Sequence, residues 1–406
     1  MSRTENSPGA PNLRGVILSS VEKESALGLP RASDANSPPS AEQPVLTMSS
    51  LGKLGRFGNQ LMQYAFLRIC AKQRGARIEC PPWPGQILFG HCDPPVSSKL
   101  PPAIEQWDDA LTMFDAVPEL IPYIETLTGN KSSRISLDAL QYGISNVDLW
   151  GFFQLHTRLL RPHRDFIRTL FRPVPDLEAA LAAAMDTLRA RGKTIVGIHL
   201  RQGDFLQLPL LGFTYPVPAR WWCEWLEGIW PTLEDPVLFV CSDNLRKVWP
   251  EFAKYSAVTL GDLDVRLPAR MAGLEFYSDF YLLSQCDVVG ISNSTFSFVS
   301  SLLNERAWKF MRPHWDFATR FTEFDPWDSE QLLYFRSKRP KIFKTFREAM
   351  EVAAATEGLA GLLKCAYIYP RERIKMKANR AGFGYKTRGF AGLLKSLFRP
   401  MTVSDR

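Results

Sequence analysis

Long hydrophobic runs are missing from this 406-residue chain: no stretch of about 18 apolar residues occurs, which argues against a membrane-spanning helix. The N-terminus lacks a basic-then-apolar leader, so a soluble cytoplasmic protein is the expectation. Cysteine is sparse and unpatterned. The seven (Cys70, Cys80, Cys92, Cys223, Cys241, Cys286, Cys365) are odd in number, contain no CxxC pair and show no metal-ligand spacing, which argues against a disulfide framework or a zinc module and for reduced core thiols. No repeat of solenoid period is present. A sizeable net charge is missing from the body as well. Residues 364–406 hold eleven Lys or Arg against Glu372 and Asp405, leaving 38 basic against 40 acidic residues elsewhere, so the net +7 belongs to the tail.

An apolar fraction of 45%, with 12% aromatic residues, is enough for sizeable cores, and the length suits two domains plus tails. Residues 1–47 are rich in Ser, Pro, Asn, Ala and Glu without apolar periodicity and read as a disordered segment, with Met48 an alternative start. The Gly-rich "GKLGRFGNQ" reads as a loop feeding a helix over "LMQYAFLRICAKQ", and "ARIEC" as a short strand. Residues 85–150 are Pro-rich and weakly patterned. "DLEAALAAAMDTLRARG" predicts a helix with Asp176 as N-cap and Gly192 as stop. From there β-branched runs ("TIVGIHL", "VLFVCS", "DVVGIS") alternate with helical patterns ("PARWWCEWLEGIW", "NLRKVWPEFAKY", "FSFVSSLLNE"), the rhythm of βαβ units around a parallel sheet. The expected fold class is α/β. The boundaries are a segment 1–47, an N-terminal domain 48–190, a C-terminal domain 191–345 and a helical, basic extension 346–406.

In an open parallel sheet, ligands sit outside the carboxyl ends of the strands. Here the three runs end in His199, Arg201 and Asp204, in Ser242 and Asp243, and in Asn293, Ser294 and Thr295, three polar clusters on one edge. The last stands at a helix start, where free N–H groups and the dipole favour an anion, and Arg201 can hold a phosphate in a bidentate fork. Together they describe a diphosphate site. The bland alternative is that Asn293 or Ser294 caps the helix and Arg201 pairs with Asp204; three clusters on one edge favour the site. The single DxD, Asp262 and Asp264 in "TLGDLDVR", falls in a loop away from these ends and reads as a solvated turn, so no metal is expected.

"GIHLRQGDF" resembles the HxRRxD motif of the α1,2-, α1,6- and protein O-fucosyltransferases, which use GDP-fucose. "LGRFGNQLMQYAF" is similar to the N-terminal signature of the α1,2-fucosyltransferases, glycosyltransferase family eleven. "WGFFQLHTRLLRPHRDFIRTLF", "YPVPARWW" and "SDFYLLSQCDVVGISNSTFSFVSSLLN" resemble later segments of that family, in order, over residues 51–305. The resemblance implies a GT-B architecture, two Rossmann-like domains facing across a cleft. It also implies Arg201 on the donor diphosphate, His199 and Asp279 near the guanosine, Ser294, Thr295 and Phe296 as the phosphate loop, and Gly58 and Asn59 facing the donor from the N-terminal domain. Two departures stand out: Gln202 where the motif has its second arginine, and Phe298 and Val299 where two tryptophans are frequent.

The expected activity is transfer of L-fucose from GDP-fucose to a glycan hydroxyl with inversion and without metal or cofactor, Arg201 stabilising the leaving diphosphate. Asp204 is the candidate base, or else the residue that orients Arg201. Asp243 joins the donor-binding set. The expected acceptor is a galactose-type sugar of a bacterial surface glycan precursor, linked α1,2. The alternatives are a protein O-fucosyltransferase-like enzyme and a non-catalytic GDP-sugar-binding protein, the latter favoured by Gln202. The basic tail sits outside the βαβ body, which argues against nucleic acid as partner. "GFAGLLKSLF" flanked by cations instead suggests peripheral contact with a membrane surface.

Overall fold

The computed structural model describes residues 43–107, 112, 114, 118, 120–203, 216–314 and 321–333, and positions 347, 350, 353–354, 358–359, 361–363 and 365–367. Two α/β halves follow one another along the chain. The first runs β1 (Val45–Thr47), α1 (Phe57–Arg74), β2 (Arg77–Glu79), α2 (Pro84–Phe89), β3 (Pro102–Glu105), α3 (Leu120–Thr128), β4 (Ser133–Ile135), α4 (Ala139–Tyr142) and β5 (Val147–Trp150). Its sheet has the order β2-β1-β5-β3-β4 and is parallel throughout. Two helices, α5 (Arg164–Leu170) and α6 (Pro175–Arg189), lead to the second half. That half runs β6 (Thr194–Leu200), α7 (Ala219–Ile229), β7 (Pro236–Ser242), α8 (Leu245–Val248), α9 (Phe276–Leu283), β8 (Val288–Gly290), α10 (Thr295–Leu303), β9 (Lys309–Pro313) and β10 (Phe321–Glu323). Its order is β10-β9-β8-β6-β7, parallel except for the β10 edge. These are two Rossmann-like sheets, the GT-B pattern expected.

The local reasons are visible in the residues. Strand β6 is buried along six of its seven positions rather than at alternate ones, because helices cover both faces of its sheet. Gly290 of β8 lets the Trp222 ring of α7 approach the sheet closely; a Cβ there would stand 2.7 Å from the indole. Helix α1 is apolar almost all round, with 13 of its 18 residues buried, so it packs inside the molecule and not on its surface. It stops at Gly75, whose φ of 60° is the left-handed turn glycine adopts most readily.

The two halves share one apolar cluster, running from Leu46 and Leu61 in the first to Phe280, Val289 and Phe298 in the second. Phe57, the first residue of α1, sits among Phe276, Tyr277 and Phe280 of α9 at ring distances of 5.1, 5.9 and 5.3 Å. Each such edge-on pair adds about 0.5–1.5 kcal/mol beyond its buried area. After β10 the chain turns back onto the loop that follows β5. There Thr157 donates its hydroxyl to Pro326 O at 2.7 Å, and the Gln331 amide donates to Leu155 O at 3.1 Å.

Three sequence expectations shift. Val45–Thr47 lies inside the segment 1–47 expected to lack structure, yet it forms β1 and pairs with both β2 and β5. A chain starting at Met48 would lose this strand. Gly58 and Asn59 are in the first turn of α1 and not in the loop before it. Helix α6 starts at Pro175 with Val174 as its cap residue, which leaves Asp176 in the first turn, paired with Arg270. The helix also ends at Arg189, ahead of Gly192. The unpatterned residues 85–150 supply β3, β4 and β5, three of the five strands of the first sheet.

Candidate functional site

Parallel pairing brings the strand ends together. Leu200 is level with Ser242, and Ile198 with Gly290, so the residues that follow β6, β7 and β8 emerge along one edge. Ser292 ties two of the three ends: its hydroxyl donates to His199 O at 2.9 Å and accepts from Arg201 N at 2.8 Å. The third end closes through Asp243. One oxygen of its carboxylate accepts from Arg201 Nη1 at 3.0 Å, and the other accepts from the backbone N–H groups of Gln202 and Gly203 at 2.7 and 3.0 Å. The Arg201 side chain is held at this edge and is 14% exposed.

Ser294 occupies the N-cap of α10 in extended conformation, but its side chain makes no capping bond. The N–H groups of the first turn, at Thr295, Phe296 and Ser297, therefore lack an intrahelical acceptor, and their dipoles add to a positive end. A second helix start meets this one. The N-cap of α1 at Arg56 also makes no side-chain capping bond, and Gly58 sits so close that a Cβ on it would lie 2.5 Å from Phe296 N and from Thr295 C. Asn59, in the same turn, accepts from the Gln154 amide at 2.7 Å. Two helix N-termini and a guanidinium favour a ligand with several negative oxygens.

The expected residues within the described range each have a definite place. His199 is buried beside Phe296 at a ring distance of 5.2 Å, and its Nδ1 has no hydrogen-bond partner among the described residues. Burial pulls its pKa down to about 4, with Asp243 opposing and the Arg201 cation assisting, so the ring is neutral near pH 7. Asp279 lies half-buried on α9, where desolvation raises its carboxyl to about 7. Thr295 and Phe296 are in the first turn of α10. Asp204 falls outside the described residues.

Other side chains turn out to be occupied. Asn293 spends its amide on the backbone of Leu333, donating at 2.7 Å and accepting at 2.8 Å, and so anchors the returning chain. The Gln202 side chain is 4% exposed, and its amide donates to Val217 O at 2.7 Å. It ties off the loop between β6 and α7. Phe298 and Val299 are core residues of α10. Asp262 accepts from the hydroxyl and backbone N–H of Thr259, capping its own turn, and Asp264 pairs with Arg266 at 2.8 Å. At the carboxyl edge of the first sheet, Asp148 is bonded to Thr47, Ser49 and Trp150, and Glu105 to the N–H groups of Phe152 and Phe153.

Sequence reading missed Ser292, whose place depends on a register that only pairing reveals. It also missed a groove of about 550 Å3 beside the start of α9, lined by Leu260, Asp264, Leu267, Met271, Glu275 and Ser278. The Ser278 hydroxyl is buried there without a hydrogen-bond partner among the described residues.

No family model matches the chain. Galactoside alpha-(1,2)-fucosyltransferase 1 of Saimiri boliviensis boliviensis is 27% identical over 271 residues, which cover 61% of this chain and 63% of that one. The chain thus spans just under two thirds of the length of this relative. The protein of the same name from Rattus norvegicus is 23% identical over 367 residues, covering 78% of this chain and 86% of that one. Among solved structures, NodZ alpha-1,6-fucosyltransferase co-crystallized with GDP superposes with a TM-score of 0.44 at 14% identity, over 70% of this chain and 99% of that one.

Proposed function

We propose that the chain is a glycosyltransferase that moves L-fucose from GDP-fucose to a hydroxyl of a glycan. The observation that carries this is the convergence of Arg201 with the uncapped starts of α1 and α10, a receptacle for a diphosphate. The similar proteins of Saimiri boliviensis boliviensis and Rattus norvegicus are named as fucosyltransferases, which agrees with it. The nucleoside would lie toward α9, with Asp279 and the neutral His199 ring within its reach.

In the proposed reaction the bond from the fucose anomeric carbon to the diphosphate oxygen breaks, and the pair of electrons leaves with GDP. A new bond forms from an acceptor oxygen on the opposite face, inverting the centre, and the acceptor proton passes to a base. Arg201 and the α10 amides stabilise the charge that grows on the leaving diphosphate, each well-placed donor contributing about 3 kcal/mol. No step calls on a metal, and Asp262 and Asp264 are committed to their own loop. Asp204 remains the proposed base. The proposed acceptor is a galactose-type sugar taken at its 2-hydroxyl. A non-catalytic sugar-nucleotide binder is the weaker reading, because Gln202, which favoured it, has its amide committed to Val217 O.

Peripheral membrane contact is proposed as well; "GFAGLLKSLF" itself lies outside the described residues. Leu359 and Leu363, one helical turn apart, are 73% and 66% exposed, while Cys365 is buried against the core of the second half, and the basic segment follows directly.

The deciding experiment is titration calorimetry with GDP. Wild type should bind, and Arg201→Ala should lose at least a hundredfold in affinity with its melting temperature kept. Wild-type GDP affinity in that variant would sink the assignment. Transfer assayed with GDP-fucose in EDTA should proceed at the rate seen in Mn²⁺.

A further inference from the structure

We infer that Asp243 acts on the donor through Arg201 and does not touch the donor: it is a positioning residue. The inference rests on the diphosphate reading above. Three donors of its own chain converge on this carboxylate, Arg201 Nη1 on one oxygen and the N–H groups of Gln202 and Gly203 on the other, all within 3.0 Å. These three donors take three of the roughly four acceptor positions of a carboxylate, which leaves little capacity for a sugar hydroxyl. A carboxylate set directly against a diphosphate is also repelled, unless a cation stands between the two charges. Arg201 is that cation: it pairs with Asp243 through Nη1, one corner of a planar fork of five N–H groups.

Gly203 supports the same assignment from another direction. A Cβ at this position would lie 2.7 Å from the carboxylate oxygen that receives Arg201. The residue is small because the carboxylate packs against its Cα. Asp243 therefore sets both the rotamer of Arg201 and the path of the backbone that leaves β6.

A double-mutant cycle separates this role from direct contact and from a general loss of fold. GDP affinity is measured by competition with a fluorescent GDP analogue, so that weak variants stay on scale. Asp243→Ala should weaken GDP about tenfold when Arg201 is present and less than twofold in the Arg201→Ala background. Gly203→Ala, which pushes on the same oxygen, should repeat the pattern and serves if Asp243→Ala folds poorly. Equal losses in both backgrounds would overturn the inference, since a direct ligand or a damaged fold acts whether or not Arg201 is there. Unchanged affinity in Asp243→Ala would overturn it too. If Arg201→Ala itself binds GDP like wild type, the diphosphate assignment fails first, and that result is distinct from either of the others.

Discussion

Gln202 shows how far a motif position can differ from a site position. Read along the chain it stands where a second arginine would add charge to a phosphate pocket. In the fold, its neighbours Arg201 and Gly203 lie at the sheet edge, while its own amide is buried against Val217 O. Gln202→Arg should therefore bring no gain in GDP affinity by calorimetry, and burial of a guanidinium should lower the unfolding free energy by about 2 kcal/mol in urea titration. A tighter complex would mean that the loop reopens toward the ligand. His199 and Asp279 oppose one another in pH. The unfolded histidine, at about 6.5, takes a proton that the folded one refuses down to about 4, so its contribution is complete above pH 6.5 and is lost as the pH falls. Asp279 is the reverse: the folded carboxyl keeps its proton up to about 7, so its contribution is complete below the unfolded value and is lost as the pH rises through 7. Asp279→Asn removes one of two opposed slopes. Its unfolding free energy should climb about 1 kcal/mol per pH unit more steeply than that of wild type between pH 5 and 6.5. Parallel profiles would show that Asp279 keeps an ordinary carboxyl.

At the scale of elements, the contact between α1 and α10 decides the site. Neither helix start is capped by its own side chain, and the two are held close by the absence of a single Cβ at Gly58. On helix propensity alone Gly58→Ala should stabilise by up to about 1 kcal/mol. The steric argument has the opposite sign, because the new atom meets backbone at 2.5 Å and the two helices cannot both stay. The expected result is a loss of about 2 kcal/mol in stability and at least tenfold in GDP affinity. A more stable variant with unchanged GDP binding would show that the helices have room to spare. The strands and helices of the second half were legible because both faces of its sheet are covered, which leaves long β-branched runs such as "TIVGIHL". Strands β3, β4 and β5 were not, since they are three or four residues long, and no periodicity develops over so few positions.

At the scale of the whole molecule, the apolar cluster crosses from one half to the other, so the geometry between α1 and α10 is built into the core. The charge, by contrast, is segregated at one end, where eleven cations follow or flank the exposed Leu359 and Leu363. Flotation with vesicles tests the proposed surface contact. The full chain should rise with phosphatidylglycerol-containing vesicles and stay behind with pure phosphatidylcholine, because each cation near an anionic surface contributes about 1 kcal/mol. Leu359→Glu with Leu363→Glu should cut recovery about tenfold while GDP binding and melting temperature are kept. Equal recovery of variant and wild type would remove the leucines from the contact.

The linear order of residues was sufficient for the βαβ rhythm of the second half, the three polar strand ends and the helix start at Ser294, because each is a local pattern of apolar period, turn and cap. It was sufficient also to place Arg201 just past the end of β6, at the edge where the strand ends meet. What pairing and packing alone decided were the partners. Asp243 reaches Arg201 across a strand boundary 42 residues wide, Ser292 joins His199 and Arg201 from the next strand, and Asn293 is claimed by Leu333. Gly58 acquires its meaning only when α10 arrives against it. Contacts between residues far apart in the chain depend on strand order and register, which propensity and spacing do not encode, and on which side chain finds its hydrogen-bond partner first satisfied by its own fold.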